Sequence, residues 1–300
     1  MNNSHITVML HDAVSALEIK SGEWYIDGTF GRGGHTQEII LAGGNVIAFD
    51  FDQEAITYGQ EKFAQAIAKG QLILVRENFT HLADTVATLK ESHAISKISG
   101  ILFDFGTSTQ QLKSKDRGFS FEGDGELDMR MDQRLGVQAK DLLAIIPEKQ
   151  LAELFQVMGG ETDAKRIAKA IKNSPEPVTT IAQLRKIIVQ NKHMKKNQKI
   201  HPATKVFQAL RIAVNTELDN IIEMIPQALN LLEEQGRIVT IAFHEGEDRI
   251  IKHTFKNWES RNLGYLTTKK PVSPSDTELE DNPRARSAKM RVFVKGINEK

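Results

Sequence analysis

The residues of this 300-residue chain that could do chemistry stand at the ends of apolar runs. Trp24-Tyr25-Ile26 ends in Asp27, and a glycine-rich turn follows: Gly28-Thr29-Phe30-Gly31-Arg32-Gly33-Gly34-His35. Asn45 to Phe49 ends in Asp50, and Ile98 to Phe103 ends in Asp104. In a strand–turn–helix unit, glycines let the backbone approach a ligand, and an acid ending the next strand can hold ribose hydroxyls. Asp27, placed just before the turn, repels a phosphate and suits a cation. The dinucleotide pattern G-x-G-x-x-G fails here, because Gly31 and Gly33 are followed by Thr36 in place of the third glycine. These residues favour an adenosine ligand with positive charge, S-adenosylmethionine (SAM), over a nicotinamide cofactor.

The elements that must position these acids alternate over the first hundred residues. Strands are predicted at 24–26, 46–50, 72–75 and 98–104, with helices over 53–69, closed by Gly70, and over 81–90. Near-continuous apolar strands separated by helices imply a parallel sheet covered on both faces, with ligands outside the carboxyl ends of the strands. Asp27, Asp50 and Asp104 fall at three such ends, so one crevice is expected to collect them.

After Gly106 the alternation stops. Residues 110–203 show only amphipathic helical patterns, at 140–146, 147–158, 163–172 and 181–190. A long helix is predicted from Lys205 to Leu232, kinked or split at Pro226 and ended by Gly236. Strand 237–243 then resumes the α/β pattern, and 289–295 reads as an edge or antiparallel strand. The expected organisation is a discontinuous α/β domain, 1–109 with 204–300, carrying a helical insert at 110–203.

Formal net charge is zero, so a nucleic-acid partner requires a local basic patch. Lys192, Lys195, Lys196 and Lys199, followed by Lys205 and Arg211, form one such cluster, with His193 among them. Arg284, Arg286, Lys289 and Arg291 form another. A solvated surface is the competing reading of both. The chain has no cysteine, which removes disulfides and thiolate zinc sites and fits a reducing compartment. It shows no secretion signal and no run of membrane-spanning length, so a cytoplasmic location without membrane partner is expected. No metal site is read, since the acids at 245–248 suit a helix start. Asp104-Phe105-Gly106 spells a kinase signature, but no accompanying kinase motif is present.

Longer words carry a resemblance. Asp27 to His35 is followed in order by Arg117-Gly118-Phe119-Ser120-Phe121, Leu127-Asp128-Met129-Arg130-Met131-Asp132, His201 to Leu218, Glu247-Asp248-Arg249 and Asn282 to Ser287. Over nearly its whole length the chain resembles the MraW-type small-subunit ribosomal RNA methyltransferases, the H class. The resemblance implies a Rossmann-like SAM-dependent methyltransferase sheet with an inserted helical domain that recognises RNA. It implies N4 methylation of a cytidine in the decoding region of 16S rRNA, with free rRNA or the assembled 30S subunit as partner. The implied SAM contacts fall on Gly33, Gly34, His35, Asp50, Phe79, Asp104 and Gln111. The family's D-L-G-V-S-S-P-Q-L reads here as Asp104 to Leu112 without its proline, and its Y-G-E-E and F-H-S-L-E-D-R are altered at 158–160 and 245–246.

A cytosine amino nitrogen is a poor nucleophile because its lone pair is delocalised into the ring. In-line placement and acceptors on its N–H groups draw that pair out. Asp104 is the expected acceptor, near this nitrogen or near the SAM ammonium. Asn215 and His244 are further candidates, with a helix hydrogen bond and a strand-end cap as their alternative readings. A non-catalytic RNA-binding assembly factor on the same fold is the competing function.

Overall fold

The computed structural model describes residues 6–107, 117–193 and 200–297. The chain divides into two compact units, 1–106 with 218–300 and 107–217.

The first unit is built on seven strands: β1 (Trp24–Asp27), β2 (Asn45–Phe49), β3 (Leu72–Val75), β4 (Ile98–Asp104), β5 (Leu232–Ala242), β6 (Gly264–Leu266) and β7 (Lys289–Lys295). They run in the order β3-β2-β1-β4-β5-β7-β6, β1 to β5 parallel and β7 antiparallel to both neighbours. The period of two sorts the side chains. Trp24 and Ile26 of β1 join one core and Tyr25 the other. Leu82 and Val86 of α5 (Leu82–Ser92) cover the first face, with Ile225 of α11 (Glu217–Leu231) and Phe255 of α12 (Glu245–Ser260). The second is covered from α1 (Leu10–Leu17) by Leu17, from α2 (Gly34–Leu41) by Ile39 and from α3 (Gln53–Lys62) by Ala55. Each large apolar side chain buried this way is worth about 1.5–3 kcal/mol. A one-residue slip would exchange the two cores, so the register is firmly held. The order reverses between β1 and β4, and sheets of this kind bind their ligands outside the carboxyl ends at such a reversal.

The second unit packs α6 (Ala139–Ile145), α7 (Glu148–Val157), α8 (Ala164–Lys172), α9 (Ile181–Asn191) and α10 (Thr204–Val214) around Leu143, Leu151, Phe155, Ile167, Leu184 and Leu210. Two of the sequence words meet inside it. The Phe121 ring stacks on His201 with centroids 4.2 Å apart and planes 6° from parallel.

Four expectations are corrected. The second boundary falls at 217/218 and not at 203/204, because Val206, Phe207 and Leu210 of α10 belong to the helical core. The helix expected over 205–232 breaks at Asn215–Thr216, where Thr216 takes a left-handed φ of 47°. Pro226 lies inside α11, and the carbonyl it leaves without a donor belongs to Ile222, a residue on the exposed face. The helix expected over 53–69 breaks at Phe63, a buried ring set edge-on to Phe30 at 5.7 Å, leaving α4 (Ala64–Ala68). β5 starts at Leu232, five residues early, because a bulge through Gln235, with φ 64°, lets Leu232 pair with Ile98. The antiparallel reading of 289–295 holds, but β6 covers that strand, so it is internal.

Candidate functional site

The three strand-end acids meet at the turn after β1: Thr29 N donates to Asp27, Gly31 N donates to Asp50, and the Thr29 hydroxyl accepts from Asp104 N. Asp27 is fully buried. Its Oδ1 accepts from Thr29 N (3.1 Å) and its Oδ2 from the Thr36 hydroxyl (2.7 Å). Thr36, noticed in the sequence only as a missing glycine, is therefore the donor that steadies Asp27. Burial pushes the Asp27 carboxyl up to about 6 despite these donors. Asp50 accepts from Gly31 N (2.8 Å) and Asp52 N (2.9 Å), so it pins the glycine turn to the end of β2. A carboxylate offers about four lone-pair sites, which leaves capacity for ribose hydroxyls. Burial raises Asp50 to about 7.

Asp104 differs from both. Its backbone N–H donates to the Thr29 hydroxyl at 2.7 Å, which ties the end of β4 to the turn after β1. Its Oδ1 is buried and has no hydrogen-bond partner among the described residues. Burial lifts its carboxyl well above the usual range, reinforced by the charges of Asp27 and Glu247 and opposed by Arg284. An orphaned carboxylate oxygen at the switch point is a place for a donor or cation from outside the protein.

The glycines serve packing as much as approach. Gly33 takes φ 69°, and a Cβ there would meet the rings of Phe30 and Phe63 at 2.6 Å. A Cβ on Gly34 would collide with the Thr7 hydroxyl. His35 is buried in the first turn of α2, and Phe79 is nearly buried, edge-on to Phe103 at 5.8 Å and Phe105 at 6.2 Å. Gln111 lies outside the described residues. A groove of about 1020 Å³ passes Thr7, Arg32, Gly34 and Tyr58, but none of the three strand-end acids lines it.

The two further catalytic candidates hold backbone. Asn215, in the helical unit, accepts from Met131 N (2.7 Å) and donates to the carbonyls of Met129 (2.8 Å) and Arg211 (2.9 Å). It fixes the turn of the Leu127–Asp132 word, where Met129 has φ 61°. His244 caps α12, its Nδ1 accepting from Gly246 N (3.2 Å) and Glu247 N (3.4 Å). Both alternative readings describe what these side chains do in the protein.

The basic cluster needs correction. Lys192 is no surface residue. Its ammonium pairs with fully buried Glu161 at 2.6 Å and donates to Pro202 O at 2.9 Å. Lys205 donates to Gly160 O (2.7 Å), and Arg211 grips Glu217 with two bonds of 2.7 and 2.8 Å. These three serve the helical unit itself. Lys195, Lys196 and Lys199 lie outside the described residues. In the second cluster, Arg291 and Lys289 both pair with Asp248.

Lys192→Ala leaves a buried carboxylate alone, so it destabilises the protein by about 3–5 kcal/mol, read in chemical denaturation. Its RNA binding keeps the wild-type salt dependence under folding conditions, whereas a phosphate contact would remove about one unit of log slope. Normal stability with a flattened slope would return Lys192 to the RNA surface.

Comparison with known proteins decides the family. The model of the MraW methylase family matches residues 2–296. The chain belongs to the MraW methylase family. A protein of Desulfotalea psychrophila named ribosomal RNA small subunit methyltransferase H is 42% identical over 297 residues, covering 97% of this chain and 98% of its own. The protein of the same name from Streptococcus equi subsp. equi is 39% identical, covering 97% of each. A solved rRNA methylase from Streptococcus thermophilus has a TM-score of 0.47 at 10% identity, covering 98% of this chain and 100% of its own, too low to carry an argument. The fold of this MraW methylase is an α/β SAM-dependent methyltransferase fold, and SAM is its cofactor. The residues present fit that group, because the orphaned Asp104 oxygen and the acid ending β2 meet the demands of its cations and its ribose. Among the described residues, no helix is long and apolar enough to cross a membrane.

The raised Asp50 has a consequence for binding. In the ligand-free fold it holds its proton more tightly than in the unfolded chain, so its stabilising contribution falls as pH rises from about 4 towards 7. Ribose binding runs the other way, because hydroxyl donors need the ionised acid. SAM affinity is therefore expected to fall about fivefold from pH 7 to pH 6 and to level off above pH 8, with proton release on binding near pH 7. Calorimetry in buffers of different ionisation enthalpy reads both. Constant affinity with no proton release would show that Asp50 does not meet the ribose.

Proposed function

We propose that the protein transfers a methyl group from SAM to the exocyclic N4 of a cytidine in the decoding region of small-subunit rRNA. The observation that carries the reading is the buried Oδ1 of Asp104 at the switch point of the sheet, which has no partner among the described residues. The names borne by relatives that span almost the whole chain support the RNA class. When bound, SAM supplies an electrophilic methyl on its sulfonium. Asp50 and the turn it pins hold the nucleoside end, and Thr29 fixes the backbone of Asp104. Asp104 then accepts an N4–H hydrogen bond, which pulls the nitrogen lone pair out of the ring towards the methyl carbon. Its raised proton affinity suits it to take the proton that N4 gives up as the C–N bond forms.

RNA recognition is assigned to the helical insert, with Lys195, Lys196 and Lys199 as phosphate contacts. Lys192 ties the carbonyl of Pro202 to the end of α9, so the two ends of the segment that bears them are held together. Transfer of labelled methyl from SAM to small-subunit particles tests the function, with N4-methylcytidine as the product. Intact SAM binding without transfer to particles or to free RNA would favour the assembly-factor reading.

A further inference from the structure

We propose that Phe243 is the ring on which the target cytosine stacks while its amino group meets Asp104. The inference rests on the cytidine reading above and adds a platform for the base, which that reading leaves unassigned. A base that reacts at its exocyclic amino group has to leave its stacked neighbours, and an aromatic face restores the contact it loses.

The sheet register sets Phe243 beside Asp104. Asp104 of β4 pairs with Ile241 of β5, and Phe243 follows two residues later. The period of two puts both on one face. Leu102 of β4 lies in the second core, as do Val239 and Ile241 of β5. Asp104 continues the series of Leu102, and Phe243 itself packs against that core. Asp27, two residues after Tyr25, ends β1 on the same face. With strands about 4.8 Å apart and a rise of about 3.3 Å per residue, the Cα atoms of Asp104 and Phe243 stand roughly 8 Å apart. That interval suits one pyrimidine, stacked on the ring with its amino edge turned to the carboxylate.

The ring reaches towards β4. A Cβ on Gly106, two residues past Asp104, would meet Cδ2 of Phe243 at 3.5 Å. Gly106, at φ 103°, puts no side chain of its own into that space. The backbone under the ring is held, because Glu247 Oε2 accepts from Phe243 N at 2.7 Å and from His244 N at 3.2 Å. A platform fixed at a strand end places a base more firmly than a loop would.

The other rings near these strand ends are occupied. Phe79, Phe103 and Phe105 pack against one another in the core of the opposite face. Phe30 is buried and edge-on to Phe63. The Tyr58 ring carries the Arg32 guanidinium at 4.3 Å, and His244 caps α12. Phe243 is only partly covered.

The test is single-turnover transfer of labelled methyl from SAM to small-subunit particles by the full chain carrying Phe243→Leu, which stays apolar but has no π face. The saturating rate is expected to fall about tenfold or more, the scale of one base–aromatic stack. The particle concentration at half-saturation stays within about twofold, because phosphate contacts supply most of the RNA affinity. SAM affinity, read by calorimetry, stays at the wild-type value, and Phe243→Tyr, which restores the face, recovers most of the rate. Phe243→Met serves if the leucine variant does not fold. The inference is overturned if a folded leucine or methionine variant keeps the wild-type rate, if SAM affinity falls by the same factor as the rate, or if the tyrosine variant is as slow as the leucine one. Wild type that transfers methyl to no particle would overturn the cytidine reading together with it.

Discussion

Asp104→Asn is expected to lower methyl transfer by about a hundredfold or more, the scale of one preorganised electrostatic contact. Asparagine keeps the size and one acceptor oxygen but loses the charge and the capacity to take a proton from N4. The same change is expected to raise the melting temperature of the ligand-free protein above pH 7. The sign follows from burial. Asp104 holds its proton more tightly in the fold than in the unfolded chain, so its contribution to stability is present at low pH and lost as pH rises. Once ionised, the carboxylate sits beside Asp27 with a buried oxygen that has no donor among the described residues. A neutral amide removes that repulsion. Loss of activity joined to a gain in stability marks a side chain kept for chemistry. Wild-type transfer by this variant, measured with labelled SAM, would remove Asp104 from the reaction centre, and RNA binding on the same sample would show whether the substrate site survives.

Asp50→Ala is expected to weaken SAM binding by roughly a hundredfold or more, since each hydrogen bond to a charged group contributes about 1.5–3 kcal/mol and a ribose offers two donors. The structure gives this carboxylate a second job, because it also holds Gly31 N and Asp52 N. Calorimetry on the variant gives the affinity, and thermal melting of the ligand-free protein reports on the turn. A lower melting temperature with unchanged SAM affinity would leave Asp50 as a support for the loop alone.

Much of the fold was legible because it rests on two strong periodicities. Two-sided strands such as 98–104 read as continuous apolar runs, and a parallel sheet leaves few other arrangements for them. Breaks were less legible. Pro226 reads as the kink or split in the long helix, yet the break comes at Asn215–Thr216, where side-chain bonds to Met129 and Met131 outweigh helix propensity. No local pattern announces such a long-range bond.

The site divides in the same way. Asp27, Asp50 and Asp104 could be found from strand ends, which sequence marks well. Their partners could not: Thr29 reaches Asp104 across 75 positions, and Thr36 was visible only as a departure from a glycine pattern. Charge misled most. Lys192, Lys205 and Arg211 read as an RNA surface, but each is satisfied within the helical unit. A lysine paired with a buried glutamate has no distinguishing mark in a string of lysines.

The central claim is that this protein methylates the N4 of a small-subunit rRNA cytidine. The most direct measurement is nucleoside mass spectrometry on small-subunit rRNA from cells with and without the protein, after digestion of the decoding-region fragment. N4-methylated cytidine is expected in the first sample, and loss of one methyl from that nucleoside in the second, with return on supply of wild type but not of Asp104→Asn. Identical N4-methylcytidine content in the two samples would contradict it.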